Sequence, residues 1–78
     1  MYDFVLLEAD HPRLHAFTRT LDGVRLCVRA NLSGEPLELA GLDLPDTAED
    51  AVLLANHGDA AAGADRLRPW EVVVSVRR

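Results

Sequence analysis

The sequence has few of the residues on which disulfide-stabilised domains and metal centres depend. Its one cysteine, Cys27, rules out an intramolecular disulfide and a metal site built from several thiolates. It has no lysine, and its eight arginines stand against thirteen acidic residues, which gives a formal net charge of −5. Because an acidic surface repels phosphate backbones, we expect no nucleic acid partner.

Long apolar runs are also missing. The apolar stretches fall far short of the ~20 residues that a membrane-spanning helix needs, so we expect no membrane partner. Met1 is followed by acidic and apolar residues rather than by a basic segment and a long apolar run, which predicts no signal peptide and a cytoplasmic location. With 78 residues, 49% of them hydrophobic and 27% charged, the chain is predicted to form one globular domain over 1–78.

The apolar residues that are present alternate as they do in β-strands. Val24 to Leu32 shows period-two alternation over nine residues, which a helix rarely produces. Asp22-Gly23 precedes this segment and predicts a tight hairpin turn in which Gly23 supplies the positive φ. The apolar face of the segment has Val24, Leu26, Val28, Ala30 and Leu32, and its more polar face has Arg25, Cys27, Arg29 and Asn31.

Other short strands are predicted along the chain, separated by turns that contain glycine or proline. They cover Tyr2 to Glu8, Leu14 to Thr20, Leu37 to either Leu39 or Leu42, Ala51 to Asn56, Arg66 to Arg68 and Trp70 to Arg77. A helix capped by Asp46 or Thr47 is the alternative to the acidic loop and the strand at Ala51, and the overall pattern favours the strand. The predicted fold class is all-β, a small antiparallel β-sandwich, Greek-key-like, with six to eight short strands, or a partly open barrel.

The first predicted strand is apolar on both faces. Phe4 and Leu6 point to one side of it, and Val5 and Leu7 point to the other. A strand of this kind is usually covered on both sides, whereas a single small sheet packed against it covers only one side. We therefore expect an apolar surface patch that includes Val5, Leu7 and their neighbours and contacts something outside the chain.

Three segments, taken in order, resemble a known family over nearly the whole chain. The first has a tyrosine-led strand at 2–7, the turn Asp-His-Pro at 10–12 and Ala-Phe-Thr-Arg at 16–19. The second, at 25–36, is a leucine/valine strand that ends in Asn-Leu-Ser and a turn, and the third joins Leu-Leu-Ala-Asn-His at 53–57 to Leu-Arg-Pro-Trp-Glu at 67–71. They are similar to the C-terminal β-sandwich, domain C, of α-glucosidase and oligo-1,6-glucosidase-type enzymes in the α-amylase superfamily, glycoside hydrolase family 13.

The resemblance implies a non-catalytic accessory domain without a cofactor. In the family, the nucleophilic aspartate, the acid/base glutamate and the third aspartate lie on the preceding (β/α)8 barrel, so no catalytic residue is carried over to this chain. The family's domain packs against that barrel, stabilises it and shields its apolar surface, which makes a catalytic barrel the expected partner. Because the chain begins directly on its first strand, we expect a dissected domain, a split-gene product or a truncated remnant.

Carboxylates are the first candidates for chemistry within this chain. Glycoside hydrolysis needs two of them about 5–10 Å apart across a sugar-sized cleft, and no spacing in the sequence places such a pair in a pocket. Since charged residues are mostly exposed, we interpret the loop carboxylates as solvated. They are Asp43, Asp46, Glu49, Asp50, Asp59 and Asp65.

Histidine and cysteine are the next candidates. His11, His15, His57 and Cys27 are the potential zinc ligands, but no pair has a recognised ligand spacing, so we expect no metal site. Cys27 has no helix N-terminus before it to lower its pKa and is interpreted as a structural thiol.

Two other functions remain as alternatives. A free-standing carbohydrate-binding module would stack sugars on Trp70, Tyr2 and Phe17, although Trp70 shares its parity with three valines and is therefore interpreted as core. A protein-interaction or self-association domain would use an exposed strand edge or the apolar face. The candidate sugar or partner contacts are thus Trp70, Tyr2, Val5 and Leu7.

A glycosylation sequon is the last motif of note. Asn31-Leu32-Ser33 matches it, but the sequence shows no secretory context. We therefore interpret Asn31 as a turn-forming residue.

Overall fold

Seven strands and no helix make up the described part of the chain. The computed structural model describes residues 2–8, 10–42, 44–47, 49–58, 60 and 63–78, and for Tyr2 and Asp3 it describes the backbone. The strands are β1 (Tyr2–Leu7), β2 (Leu14–Leu21), β3 (Val24–Asn31), β4 (Leu37–Glu38), β5 (Ala51–Ala55), β6 (Arg66–Leu67) and β7 (Val72–Arg77). Over the described residues, no helix is long and apolar enough to cross a membrane. The all-β prediction is confirmed, including the strand after the acidic loop.

Two antiparallel sheets form a small, uneven sandwich. The larger sheet has five strands in the order β1-β2-β3-β7-β5, and the smaller one pairs β4 with β6. The hydrophobic core lies between them, because Leu14, Ala16 and Val73 of the large sheet cluster with Leu37 and Leu67 of the small one. We call this side of the large sheet the covered face.

The hairpin between β2 and β3 has the turn that the sequence predicts. Leu21 and Val24 are paired, which leaves Asp22 and Gly23 as a two-residue turn. Both have positive φ, 52° at Asp22 and 82° at Gly23. This geometry matches the right-handed twist of the two strands and fixes their register.

Gly23→Ala is expected to destabilise the domain by about 1 kcal/mol, because an L-residue with a side chain is strained at positive φ. Space is not the reason, since a Cβ at Gly23 would meet no atom within 4 Å. Gly58→Ala is the matched control, because a Cβ there also meets nothing within 4 Å and the φ of Gly58 is not in the left-handed region. Urea unfolding measures both, and equal unfolding free energies for the two variants would contradict the role of φ.

The two faces of the large sheet follow from its register, because directly paired residues share a face. The opposite side from the covered face is named the open face. Its members are Phe4, Leu6, His15, Phe17, Arg19, Leu21, Val24, Leu26, Val28, Ala30, Ala51, Leu54, Val72, Val74 and Val76. Large apolar side chains at its edges are strongly exposed, with Phe4 at 50%, Leu6 at 49% and Leu54 at 66%.

The more polar side of β3 is the side that lies in the interior. Cys27, Arg29 and Asn31 are all buried on the covered face, and Ser75 of β7 is buried beside Cys27. Two of these side chains donate hydrogen bonds to the thin covering layer: Asn31 Nδ2 to Glu35 O at 2.7 Å and Ser75 Oγ to the Asp50 carboxylate at 3.0 Å. The alternating valines and leucines of β3 and β7 are consequently left on the open face.

Candidate functional site

A continuous row of five apolar side chains crosses the open face from edge to edge. The pairings join β1 to β2, β2 to β3, β3 to β7 and β7 to β5 without a polar interruption. The row runs through Leu6, Phe17, Val28, Val74 and Leu54. Since neighbouring strands lie about 4.8 Å apart, the row spans roughly 20 Å.

The next row is apolar except for one arginine. It runs through Phe4, Arg19, Leu26, Val76 and Ala51. Phe4 stacks on Phe17 of the first row, with ring centroids 5.2 Å apart and an interplanar angle of 29°. The rings of His15 and Phe17 meet edge to face at 5.7 Å. These contacts hold the aromatic side chains in place on the open face.

A shallow hollow of about 440 Å³ lies at one end of the open face. Leu21, Val24 and Leu26 line it, together with Arg19 and Asp22. The hollow is mostly apolar and is continuous with the two rows, so it extends the same surface rather than forming a separate pocket.

The four predicted contact residues lie in different places. Leu7 packs against the core cluster, so the expected surface patch does not include it. Val5 is on the covered face at the exposed edge of the sheet, and the backbone of Tyr2 is paired with Leu21. The interpretation of Trp70 as core is wrong, because its side chain is 59% exposed and it precedes β7 instead of alternating with the valines. The contact roles of Trp70, Tyr2 and Val5 stay predictions.

The histidine and cysteine candidates do not converge. Over the described residues, no three His, Cys, Asp or Glu side chains form a group that could hold a metal ion. Burial raises the pKa of the Cys27 thiol, more than the charges of Arg29 and Arg25 lower it. His11 Nδ1 accepts the backbone N–H groups of Arg13 and Leu14, both at 3.1 Å, so it organises the turn before β2.

One loop carboxylate is buried, contrary to the expectation that all are solvated. The Asp50 side chain is fully shielded from solvent. It accepts hydrogen bonds from Ser75 Oγ at 3.0 Å, from Arg77 Nε at 2.8 Å and from Arg25 at 3.4 Å. Burial alone would raise the pKa of Asp50, but the hydrogen bond from Ser75 and the two arginines outweigh it and hold that pKa below its ordinary value.

A second buried carboxylate, Glu71, fastens the turn before β7. Its two oxygens accept the Arg68 backbone N–H at 2.7 Å and the Arg68 guanidinium at 2.9 Å. Burial would raise the pKa of Glu71, but these bonds and the charge of Arg68 lower it further than burial raises it. The sequence contains no signal that distinguishes Asp50 and Glu71 from the exposed acids.

The other carboxylates considered as chemical candidates are Asp46, Glu49 and Asp65, which are exposed. Asp46 and Asp65 line a hollow of about 250 Å³ between two loops, with the buried Arg29 among its walls. Asp43 and Asp59 lie outside the described residues.

The lowered pKa values of Asp50 and Glu71 predict acid sensitivity. A carboxylate whose pKa is lower in the folded state stabilises the fold fully above its unfolded pKa, about 4, and loses this contribution as the pH falls through the folded pKa. The urea midpoint is therefore expected to fall steeply below about pH 4. The double variant Asp50→Asn, Glu71→Gln should show a weaker decline over the same range, and an unchanged slope would contradict this assignment.

Comparisons with known proteins point to one group of enzymes. No protein-family profile matches the sequence, and no curated protein sequence matches it either. Trehalose-6-phosphate hydrolase (TreA) from Bacillus licheniformis matches with a TM-score of 0.77 and 25% identity over 97% of this chain and 14% of that chain. The trehalulose synthase MutB from Pseudomonas mesoacidophila MX-45 matches with a TM-score of 0.73 and 27% identity, over 97% of this chain and 14% of that chain. The chain thus spans about 14% of the length of the enzymes it matches.

Proposed function

We propose that this chain, which resembles the C-terminal domain of glycoside hydrolase family 13 enzymes, is a non-catalytic accessory domain that docks its open face on a catalytic barrel. The observation that carries the proposal is the uninterrupted apolar row from Leu6 to Leu54. An antiparallel sheet with one face on its own core usually has a polar outer face, and here that face is apolar. Contiguous exposed apolar surface marks a site of association.

The distribution of charge supports docking through the same face. The chain has a net charge of −5, yet among the described strand residues no acidic side chain belongs to the open face as its register defines it, and Asp22 of the β2–β3 turn borders the hollow at its end. Arg19 and His15 are the polar members. Covering the strand residues of this face therefore buries none of the described carboxylates, and the desolvation penalty of burying unpaired negative charge is avoided there.

We assign catalysis to the catalytic barrel and not to this accessory domain. The matched enzymes are glycoside hydrolase family 13 members, and the chain corresponds to 14% of each. Docking would stabilise the barrel by burying apolar surface on both partners, at about 25 cal/mol per Å².

The test is to add the purified chain to the barrel of the same source, expressed separately. We expect saturable one-to-one binding, a higher thermal midpoint of the barrel, and hydrolysis of p-nitrophenyl α-glucoside by the mixture but not by the chain alone. Turnover by the chain alone would overturn the proposal. So would a barrel whose thermal midpoint and activity do not change when the chain is added. Sedimentation of the chain alone distinguishes docking on a barrel from self-association. A tight dimer that the barrel does not dissociate would indicate that the open face binds a second copy of the chain.

A further inference from the structure

Trp70, the one tryptophan of the chain, is exposed at a strained backbone position. It lies between β6 and β7, its side chain is 59% exposed, and its φ is 57°. A bulky residue with positive φ is uncommon and costs free energy. Trp70 is not a member of the open face, so the docking proposal leaves its exposure unexplained.

The surrounding structure holds the Trp70 backbone on both sides. Its N–H donates to Ser33 O at 3.0 Å, and its carbonyl accepts Asn56 Nδ2 at 2.8 Å. Asn56 Oδ1 in turn accepts the Val72 N–H at 3.0 Å, so one side chain clamps the residues before and after Glu71. The indole is therefore presented from a rigid backbone.

The fold itself does not require an indole at this position. Glycine would adopt the same φ without strain, and a side chain that is mostly exposed adds little to the core. The indole instead lies against the turn after β3, where a Cβ added to Gly34 would come within 3.6 Å of Trp70 Nε1. This is an ordinary van der Waals distance, so the indole is close to this turn without being crowded by it.

The turn beside the indole also carries a carboxylate at the position after Gly34. Glu35 follows Gly34 and is exposed, and among the described residues its carboxylate takes part in no hydrogen bond or ion pair. A flat aromatic ring packs against the C–H face of a pyranose, and a carboxylate accepts hydrogen bonds from its hydroxyl groups. The negative charge of Glu35 and of the whole chain disfavours phosphorylated or other anionic sugars.

We propose that Trp70 and Glu35 form a surface binding site for a neutral hexopyranose unit of an oligosaccharide. The site lies at one end of the sheet and is independent of docking through the open face. It would keep the domain close to carbohydrate without taking part in bond cleavage.

The test uses Trp70 as its own probe, since no other tryptophan contributes to the emission of the chain. Titration with maltose and isomaltose should give a saturable change in tryptophan fluorescence and reduced quenching by acrylamide, and glucose 6-phosphate should bind more weakly. By calorimetry, Trp70→Gly should weaken sugar binding about tenfold or more, and Glu35→Gln should weaken it about threefold. The urea midpoint of Trp70→Gly should be unchanged or higher, because the strain at φ 57° is relieved.

Leu54→Glu, on the open face, is the matched control and should keep full sugar binding, while Trp70→Gly should keep binding to the barrel. No saturable response to any neutral sugar would overturn the site, as would sugar binding that survives Trp70→Gly. A large loss of stability in Trp70→Gly would show a structural role instead. Protection of Trp70 from acrylamide by the barrel but not by sugars would reassign the residue to the protein interface.

Discussion

Asp50→Ala is expected to remove a large part of the folding free energy of this chain. The variant leaves Ser75 Oγ buried without the carboxylate that accepts its hydrogen bond, and it leaves Arg25 and Arg77 facing each other without their shared anion. Removing one partner of a buried ion pair typically costs about 3–5 kcal/mol. The arginines are 24% and 40% exposed and regain water, so we expect about 2–3 kcal/mol.

That loss is large for a domain of this size. At roughly 0.05–0.15 kcal/mol per residue, a chain of 78 residues has a total stability of about 4–12 kcal/mol. Urea unfolding at pH 7 measures the change, with Glu49→Ala as the control, since Glu49 is an exposed acid next to Asp50. Equal unfolding free energies for the two variants would mean that the Asp50 network contributes nothing to stability.

Leu54→Glu and Leu6→Glu are each expected to weaken docking to the barrel more than 100-fold while leaving the fold intact. These residues are the two ends of the apolar row and are 66% and 49% exposed, so the free chain keeps the new carboxylates in water. In the docked state each carboxylate would be buried without a partner, which costs several kcal/mol. About 3 kcal/mol corresponds to a loss of affinity of more than 100-fold.

The control for docking is Val52→Glu, because Val52 is 40% exposed and its pairing with Ser75 places it on the covered face. It should bind the barrel as tightly as the unaltered chain, and all three variants should unfold at similar urea concentrations. A docking loss in Val52→Glu equal to that in Leu54→Glu would indicate a general effect of charge and not a defined interface.

The strands and the hairpin were predictable because their signals are local. The alternation in β3 and the Asp22-Gly23 turn depend on neighbouring residues, and both are confirmed. The resemblance to the C-terminal domain of family 13 enzymes, which depends on the order of such segments, is also confirmed by the matched structures.

The side of the sheet that is covered was not predictable in the same way. Period two shows which residues share a face, but it does not show which face receives the second layer. That layer is the β4–β6 pair and its loops. One of its backbone carbonyls, Asp46 O, accepts hydrogen bonds from Arg25 and Arg77. The polar side chains of β3 therefore face the interior.

The burial of Asp50 and the exposure of Trp70 differ from the sequence-based predictions for a related reason. Carboxylates are usually exposed and tryptophans are usually buried, and both tendencies are averages over composition. Asp50 is buried because two arginines and Ser75 from β3 and β7 converge on it, which only the folded topology brings about. Trp70 is exposed because a positive φ before β7 turns it away from the valine alternation.

The most direct measurement is the methyl NMR spectrum of the leucine- and valine-labelled chain with and without the unlabelled barrel. Docking through the open face predicts large shifts for the row and unchanged signals in the core between the sheets. The row methyls are those of Leu6, Val28, Val74 and Leu54, and the core methyls are those of Leu37, Leu39 and Leu67. Shifts concentrated in the core methyls, or a spectrum that the barrel leaves unchanged, would contradict the account.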